Sequence, residues 1–274
     1  TLASRQGRAR TGMMLRYLRA PGPLFPFTRP VSGRVHYAWW QIPLVELRAV
    51  CSALGGTVTD VVVTVLAGGL DHYAEAHGLH VKGQFLRLQL AANVRLREDY
   101  GKLGNELAVI PVLVPLGIDD PAERLRHVAA YTRAANNLGM AEFIRGFMDG
   151  LFGFLTPPGQ ALLGKLLSSK SFLRLNRRIA KSPHDHTLTT SVLFPSTVYR
   201  VQGQAVSTIQ TFIPCSLNVG LLNAAIAYRD NLQFTLAADV DAVPDLDGLM
   251  GQMKSAFNEL RAACEPRELA PIED

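Results

Sequence analysis

Cysteine is scarce. Cys51, Cys215 and Cys264 are the three in a chain of 274 residues, far apart and without a CxxC pair. So sparse and odd a set makes no disulfide scaffold and has no zinc-site spacing, and it suits a reducing compartment such as the cytoplasm. Long apolar runs are also missing. No stretch reaches the roughly twenty residues a transmembrane helix needs, and no secretory signal pattern is present. The short chemical signatures are absent too: there is no GxSxG elbow, no P-loop, and no GxGxxG following a strand. Asp239, Asp241 and Asp245 lack the glycine and terminal Glu of a calcium loop.

Acidic residues are missing from particular places. Arg5, Arg8, Arg10, Arg16, Arg19, Arg29 and Arg34 all precede the first acid, Glu46. No acid lies between Asp149 and Asp185, where Lys165, Lys170, Arg174, Arg177, Arg178 and Lys181 fall. On a chain of net charge +5 this placement suggests an anionic partner. A nucleic acid does not fit, since there is no recognisable binding module and little aromatic interleaving. The chain does not begin with Met and reads as a piece of a longer polypeptide. Residues 1–30, basic and then proline-rich in PGPLFPF, read as a linker that resists helix and central strand.

What is present is apolar structure. At 48% hydrophobic, the chain can bury a substantial core. Its densest stretch runs from 187 to 249. TLTTSVLFPSTVYRV (187–201) and AVSTIQTFI (205–213) read as strands. LNAAIAY (222–228) and LQFTLAA (232–238) flank the polar turn Arg229-Asp230-Asn231, a hairpin signal. A helix starts near Pro244, its stripe set by Leu246, Leu249, Met253, Phe257 and Leu260.

Upstream, 34–43 reads as an aromatic strand, and Pro43 opens a helix that Gly55-Gly56 ends. Thr57 is a good N-cap for the next helix, with Asp60 placed to complete a capping box. Gly68-Gly69 inside that buried helix predict close packing against another element. Strands follow at 85–97 and 107–116, where Pro111 predicts an edge or bulge. Asp119-Asp120-Pro121 caps a helix to about Asn137. Residues 138–181 are irregular and rich in Gly, Phe, Met and Leu, then a basic amphipathic helix. The order β-α-α-β-β-α-α-β-β-β-β-α is an α/β arrangement: a mixed sheet with packed helices.

The histidines make no clear site. His72, His77 and His80 gather around one helix end and read as surface residues rather than metal ligands. His184-Asp185-His186 has the types of a base and an orienting carboxylate, but sequence neighbours seldom face one another.

Five segments carry a resemblance: TVTDVVVTVLAGGLDHY (57–73), LQLAANVRLRE (88–98), Gly104-Asn105 before an apolar strand, DDPAERLRHV (119–128) and LQFTLAADVDAVPDLDGL (232–249). In order and character they resemble the bacterial wax ester synthase/diacylglycerol acyltransferase family. The segments span about Pro30 to Ala263, and they correspond to the C-terminal half of that family. The resemblance implies one half of a chloramphenicol acetyltransferase-like fold, in which two similar α/β halves enclose the active site. The family's catalytic histidine belongs to an HHxxxDG motif of the other half, which this sequence lacks, so no catalytic residue is expected here.

By the same resemblance, 1–30 is the basic crossover linker, 31–265 the acyltransferase C-terminal domain and 266–274 a tail. Thr59, Asp60, Arg95, Asn105, Ser191 and Pro195 are the structural or channel-lining candidates. Thr59-Asp60 stands where the family has Asn-Asp. TSVLFPS (190–196) stands for TNVPGP, with Ser191 for Asn, Leu193 for Pro and Phe194 for Gly. Asp60 reads as structural, in agreement with its capping position. Asn105 is either an interface residue or an ordinary loop Asn.

The implied activity is transfer of an acyl chain from acyl-CoA, a substrate rather than a resident cofactor, to diacylglycerol or a fatty alcohol. The implied partners are the N-terminal half and a membrane or lipid-droplet surface, met by 138–181 from the cytoplasmic side. A non-catalytic lipid- or membrane-binding protein retaining the half-fold is the alternative.

Overall fold

The central hairpin forms as its polar turn predicts. In a computed structural model, which describes residues 2–28, 31–93, 107–152, 156–167, 169, 171–172, 185–194, 197–215 and 219–264, strand β7 (Leu221–Tyr228) pairs antiparallel with β8 (Asn231–Asp239). Every residue of β7 is buried, as its apolar composition on both faces demands.

Around this pair lie β1 (Val35–Pro43), β2 (Phe85–Asn93), β3 (Leu107–Pro115) and β4 (Thr187–Leu193). The sheet order is β1-β8-β7-β4-β2-β3. The pairs β7–β4 and β4–β2 are parallel and the others antiparallel, so the sheet is mixed, as expected. Pro111 lies on β3, an edge strand, where its missing N–H costs no ladder bond.

One face of the sheet carries α2 (Leu44–Leu54), α3 (Val58–Ala76), α4 (Pro121–Asn137) and α7 (Leu246–Ala262). Helix α7 starts at an Asp245 cap and buries Leu246, Leu249, Met250, Met253, Phe257 and Leu260. At about 1.5–3 kcal/mol per large side chain, that stripe favours docking by on the order of 10 kcal/mol before entropy. The glycines of α3 explain the close approach: a Cβ on Gly68 would sit 3.0 Å from Ala256 Cβ, and one on Gly69 would sit 3.0 Å from Met253 Cα. Two further helices, α5 (Met140–Phe152) and α6 (Pro157–Leu167), follow α4.

Two expectations are corrected. The stretch read as a linker is helical over Leu2–Arg19, α1. All of its prolines fall after that span, and residues 2–19 hold strong helix formers. Tyr17 of α1 is buried against Leu113, and beyond the helix Phe25 and Phe27 enter the core, their rings 4.8 Å apart. The second concerns 187–213. β4 ends at Leu193, and among the described residues of the stretch only Arg200–Val201 (β5) and Gln204–Ala205 (β6) pair, as a small separate ladder. Of the segment 205–213, read as a strand, Ala205 pairs in β6 and 206–213 lies across the far face of the sheet without joining it. β1 already occupies the edge beside β8, and the segment is tied by side chains: Tyr37 Oη donates to Ile213 O, and Phe212 meets Tyr37 edge-on at 5.0 Å. The basic cluster around 173–181 lies outside the described residues.

Candidate functional site: a cleft at the start of α3

The first turn of α3 is locked by the capping box its sequence predicts. Asp60 N–H donates to Thr57 Oγ1 at 3.2 Å, and Asp60 Oδ2 accepts from Thr57 N and from Thr57 Oγ1, each at 2.8 Å. The other oxygen, Oδ1, accepts from Thr132 Oγ1 of α4 at 2.7 Å. Asp60 is buried and bound on both oxygens, so it clamps α3 to α4 rather than serving as a free base.

One residue before it, Thr59 turns outward. Its Oγ1 lies 3.2 Å from Ser191 Oγ on β4, and the two hydroxyls share a hydrogen bond across the sheet–helix gap. This half-buried pair lines a cleft of about 500 Å³. Leu90, Ile110, Val112 and Ala129 supply apolar wall, and Arg133 and Asn136 of α4, both exposed, stand at its polar rim. Small side chains keep the space open where larger ones would fill it: Ala91 and Ala92 on β2, Ala129 and Ala135 on α4. The cleft's volume falls within the range usual for small-molecule pockets.

The structure thus brings Thr59, Asp60 and Ser191 together. Arg95, Asn105 and Pro195 lie outside the described residues; β2 ends at Asn93 and β3 begins at Leu107. Phe194, where the family has glycine, packs edge-on against Tyr199 and Tyr228, at 5.9 and 6.5 Å. The larger side chain is thereby accommodated in an aromatic group beyond the end of β4. Sequence reasoning missed Thr132 and Arg133. The available signal was Thr132 itself, a polar residue on the buried stripe of α4 with Leu125, Val128 and Ala129.

The sequence pair Asp185-His186 is no reaction centre. His186 is fully buried, its Nδ1 accepting from Arg87 N–H at 2.9 Å and its Nε2 at 3.0 Å from Pro23 O. Burial and the nearby Arg87 guanidinium hold the imidazole neutral, with its pKa lowered to about 3. Asp185 accepts from Gln89 Nε2 at 2.7 Å and from the Tyr17 hydroxyl, which anchors α1 to the sheet. A second buried pair, Arg124 with Asp71 at 2.8 Å, ties α4 to α3. Burial raises the Asp71 pKa and the Arg124 charge opposes that rise. His72 meets Glu259 at 3.2 Å, while His77 Nδ1 contacts Tyr73 O at 2.8 Å.

Comparison with known proteins places this architecture. Residues 103–261 match the family model described as the WS/DGAT C-terminal domain. A Mycobacterium tuberculosis (strain CDC 1551 / Oshkosh) protein, provisionally named a diacylglycerol O-acyltransferase, is 28% identical over 242 residues, which are 85% of this chain and 45% of that protein. The probable diacylglycerol O-acyltransferase tgs1 of M. tuberculosis H37Rv is 23% identical over 240 residues, 88% of this chain and 50% of that one. Among solved structures, the wax ester synthase/diacylglycerol acyltransferase from Marinobacter aquaeolei VT8 has a TM-score of 0.61 at 18% identity, covering 94% of this chain and 56% of that one. A condensation domain that releases chains from the enacyloxin polyketide synthase has a TM-score of 0.57 at 11% identity, covering 94% and 48%. These structural likenesses establish the fold. The chain spans about half the length of the curated relatives it matches. It belongs to the wax ester synthase/diacylglycerol acyltransferase family and corresponds to that family's C-terminal domain.

Proposed function

We propose that this chain is the C-terminal half of an acyl-CoA-dependent O-acyltransferase that makes triacylglycerol or wax ester from diacylglycerol or a fatty alcohol. The observation that carries the reading is the cleft beside Thr59 and Ser191, with an apolar wall of Leu90, Ile110, Val112 and Ala129 facing polar groups, in a domain of this family. The cleft holds an alkyl chain of acyl donor or acceptor along Leu90, Ile110 and Ala129. The histidine base, contributed by the N-terminal half, removes the acceptor hydroxyl proton. The alkoxide attacks the thioester carbonyl, the ester C–O bond forms, and CoA leaves as its thiol. This chain's part is to position and to exclude water.

Approach to lipid substrates needs a lipid-facing surface. Phe147 on α5 and Leu162 and Leu166 on α6 are exposed large apolar side chains, with Lys165 exposed beside them. This surface supports peripheral docking on a membrane or lipid droplet from the cytoplasmic side. It equally suits a lipid-binding protein without transferase activity, and one assay separates the two. The complete polypeptide, carrying both halves, is given palmitoyl-CoA with dioleoylglycerol or hexadecanol, and free CoA and neutral lipid are measured. The acyltransferase reading expects both products, and a sharp loss in Ala129→Phe, which fills the cleft. Vesicle binding with no CoA release from any pairing would overturn it in favour of the lipid-binding reading.

A further inference from the structure

The segment 206–213 is a strand in all but its hydrogen bonds. Five of its eight residues, VSTIQTFI, are β-branched and one is aromatic, and it holds neither proline nor glycine, a composition that favours a pleated strand. Its course matches. Thr208 Oγ1 accepts from Gln41 Nε2 at 3.5 Å, and the Phe212 ring meets that of Tyr37, so the steps from 208 to 212 keep pace with those from 41 back to 37 on β1. The segment therefore runs extended and antiparallel to β1, stacked on the sheet rather than laddered to it.

Its main chain is unused. Among the described residues, no hydrogen bond reaches a backbone N–H from 207 to 213. Of its carbonyls only Val206 O and Ile213 O accept, from the Tyr228 and Tyr37 hydroxyls. A strand-forming run with open donors and acceptors is a template for another strand. The chain's own sheet does not supply one, since β1 holds the place beside β8 and the segment lies over β1 rather than at its edge. The surroundings are apolar: Trp39 on β1, Val192 and Leu193 at the end of β4, Val201 of β5 and Phe212 itself are large exposed side chains. Helix α1 packs on the same face of the sheet, because Leu113 under Tyr17 points away from Val112 and Val114, which enter the main core. A domain joined ahead of α1 is therefore attached on this face.

We propose that 206–213 joins, as an added strand, the edge of a β-sheet in the N-terminal half of the same polypeptide. The proposal rests on placing this chain as the C-terminal half; the curated relatives it matches are about twice as long, and an α/β half supplies the sheet edge. Main-chain hydrogen bonds fix the pairing, and the exposed apolar side chains pack around it. The segment thereby holds the two halves in one orientation, and with them the cleft beside the other half's histidine.

The test is hydrogen–deuterium exchange of the complete polypeptide, read residue by residue by mass spectrometry with electron-transfer fragmentation. A neighbouring strand takes every second N–H, so at least alternate amides of 207–213 should exchange about a hundredfold slower than in an unstructured chain, or slower still. Ser207 and Thr208 are exposed and adjacent, so one of their N–H groups faces the added neighbour. Of Ser207→Pro and Thr208→Pro, at least one should lower the melting midpoint by about 5 °C and CoA release about tenfold, while Ser207→Ala and Thr208→Ala stay close to the parent. Exchange within about tenfold of the unstructured rate across 207–213 would overturn the proposal, and in a parent that releases CoA it would leave the acyl-transfer reading standing. Proline variants indistinguishable from their alanine counterparts would overturn it as well. Protection lost on dilution, with dimers seen by analytical ultracentrifugation, would assign the partner strand to a second copy and count against it equally. Protection in a parent that releases no CoA with any acceptor would support strand addition and remove the acyl-transfer reading alone.

Discussion

Replacing Asp60 by Ala and by Asn distinguishes a clamp from a catalytic carboxylate. Ala removes three hydrogen bonds at once: those from Thr57 N, Thr57 Oγ1 and Thr132 Oγ1. Bonds to a carboxylate are worth about 1.5–3 kcal/mol each, and they are not additive when shared by one group. The expected loss is therefore about 3–5 kcal/mol, which places it among severe single substitutions. Asn retains most of this. Its carbonyl oxygen can take the Oδ2 position and accept from Thr57. Its amide then donates to Thr132 Oγ1, whose proton turns to Ala129 O, already 3.2 Å away. The loss should be on the order of 1 kcal/mol, chiefly the carboxylate's interaction with the helix dipole. With about 2–4 °C per kcal/mol for a chain of this size, the melting midpoint should fall about 10 °C for Ala and about 3 °C for Asn. Differential scanning fluorimetry of the complete polypeptide reads this, paired with CoA release at 20 °C. Asn should stay within a few-fold of the parent activity. If Asn kept its stability but lost activity a hundredfold, Asp60 would be a catalytic group and the clamp argument would be refuted.

Other outcomes follow from the same geometry. Gly69→Ala should destabilise by about 2–3 kcal/mol despite the better helix propensity of Ala, because the added Cβ meets the Met253 backbone; urea denaturation checks it. His186 gives a pH signature. Its folded pKa of about 3 lies below the free value of 6.5, so the unfolded chain binds a proton that the folded chain does not. Stability should fall as pH drops below about 6.5 and level off near 3, by up to on the order of 4–5 kcal/mol. His186→Gln, which can still accept from Arg87 N–H and donate to Pro23 O, should flatten that part of the pH–stability curve. Leu162→Glu with Leu166→Glu should lower binding to phosphatidylglycerol vesicles in flotation assays at least tenfold, with the melting midpoint unchanged, since both side chains are exposed.

Much of this structure was legible before any coordinates. The hairpin at Arg229-Asp230, the Thr57–Asp60 box and the edge position of Pro111 follow from local rules that tertiary contacts had no reason to override. The twin glycines of α3 announced a tight helix contact, and the contact is with α7. What failed was what depends on competition. Residues 205–213 are good strand formers, but β1 already holds the place beside β8. Helix α1 was obscured by prolines that lie beyond its end. Of the six candidates the family resemblance supplied, Thr59, Asp60 and Ser191 lie together at the cleft, yet the Thr132 clamp joins residues 72 positions apart. No single-sequence pattern records such a pairing. His186 was hidden for the same reason, since its burial depends on Pro23 and Arg87.

The most direct test of the central claim is photolabelling of the complete polypeptide with a palmitoyl-CoA analogue carrying a diazirine midway along its chain. Peptide mass spectrometry then locates the adduct. The account predicts labelling on Leu90–Ala92, on Ile110 and Val112, and on Ala129, Thr132, Arg133, Ala135 or Asn136 of α4, which line the cleft, competed away by palmitoyl-CoA. Competable labelling that spares these residues and falls on α6 or on α1 instead would contradict it.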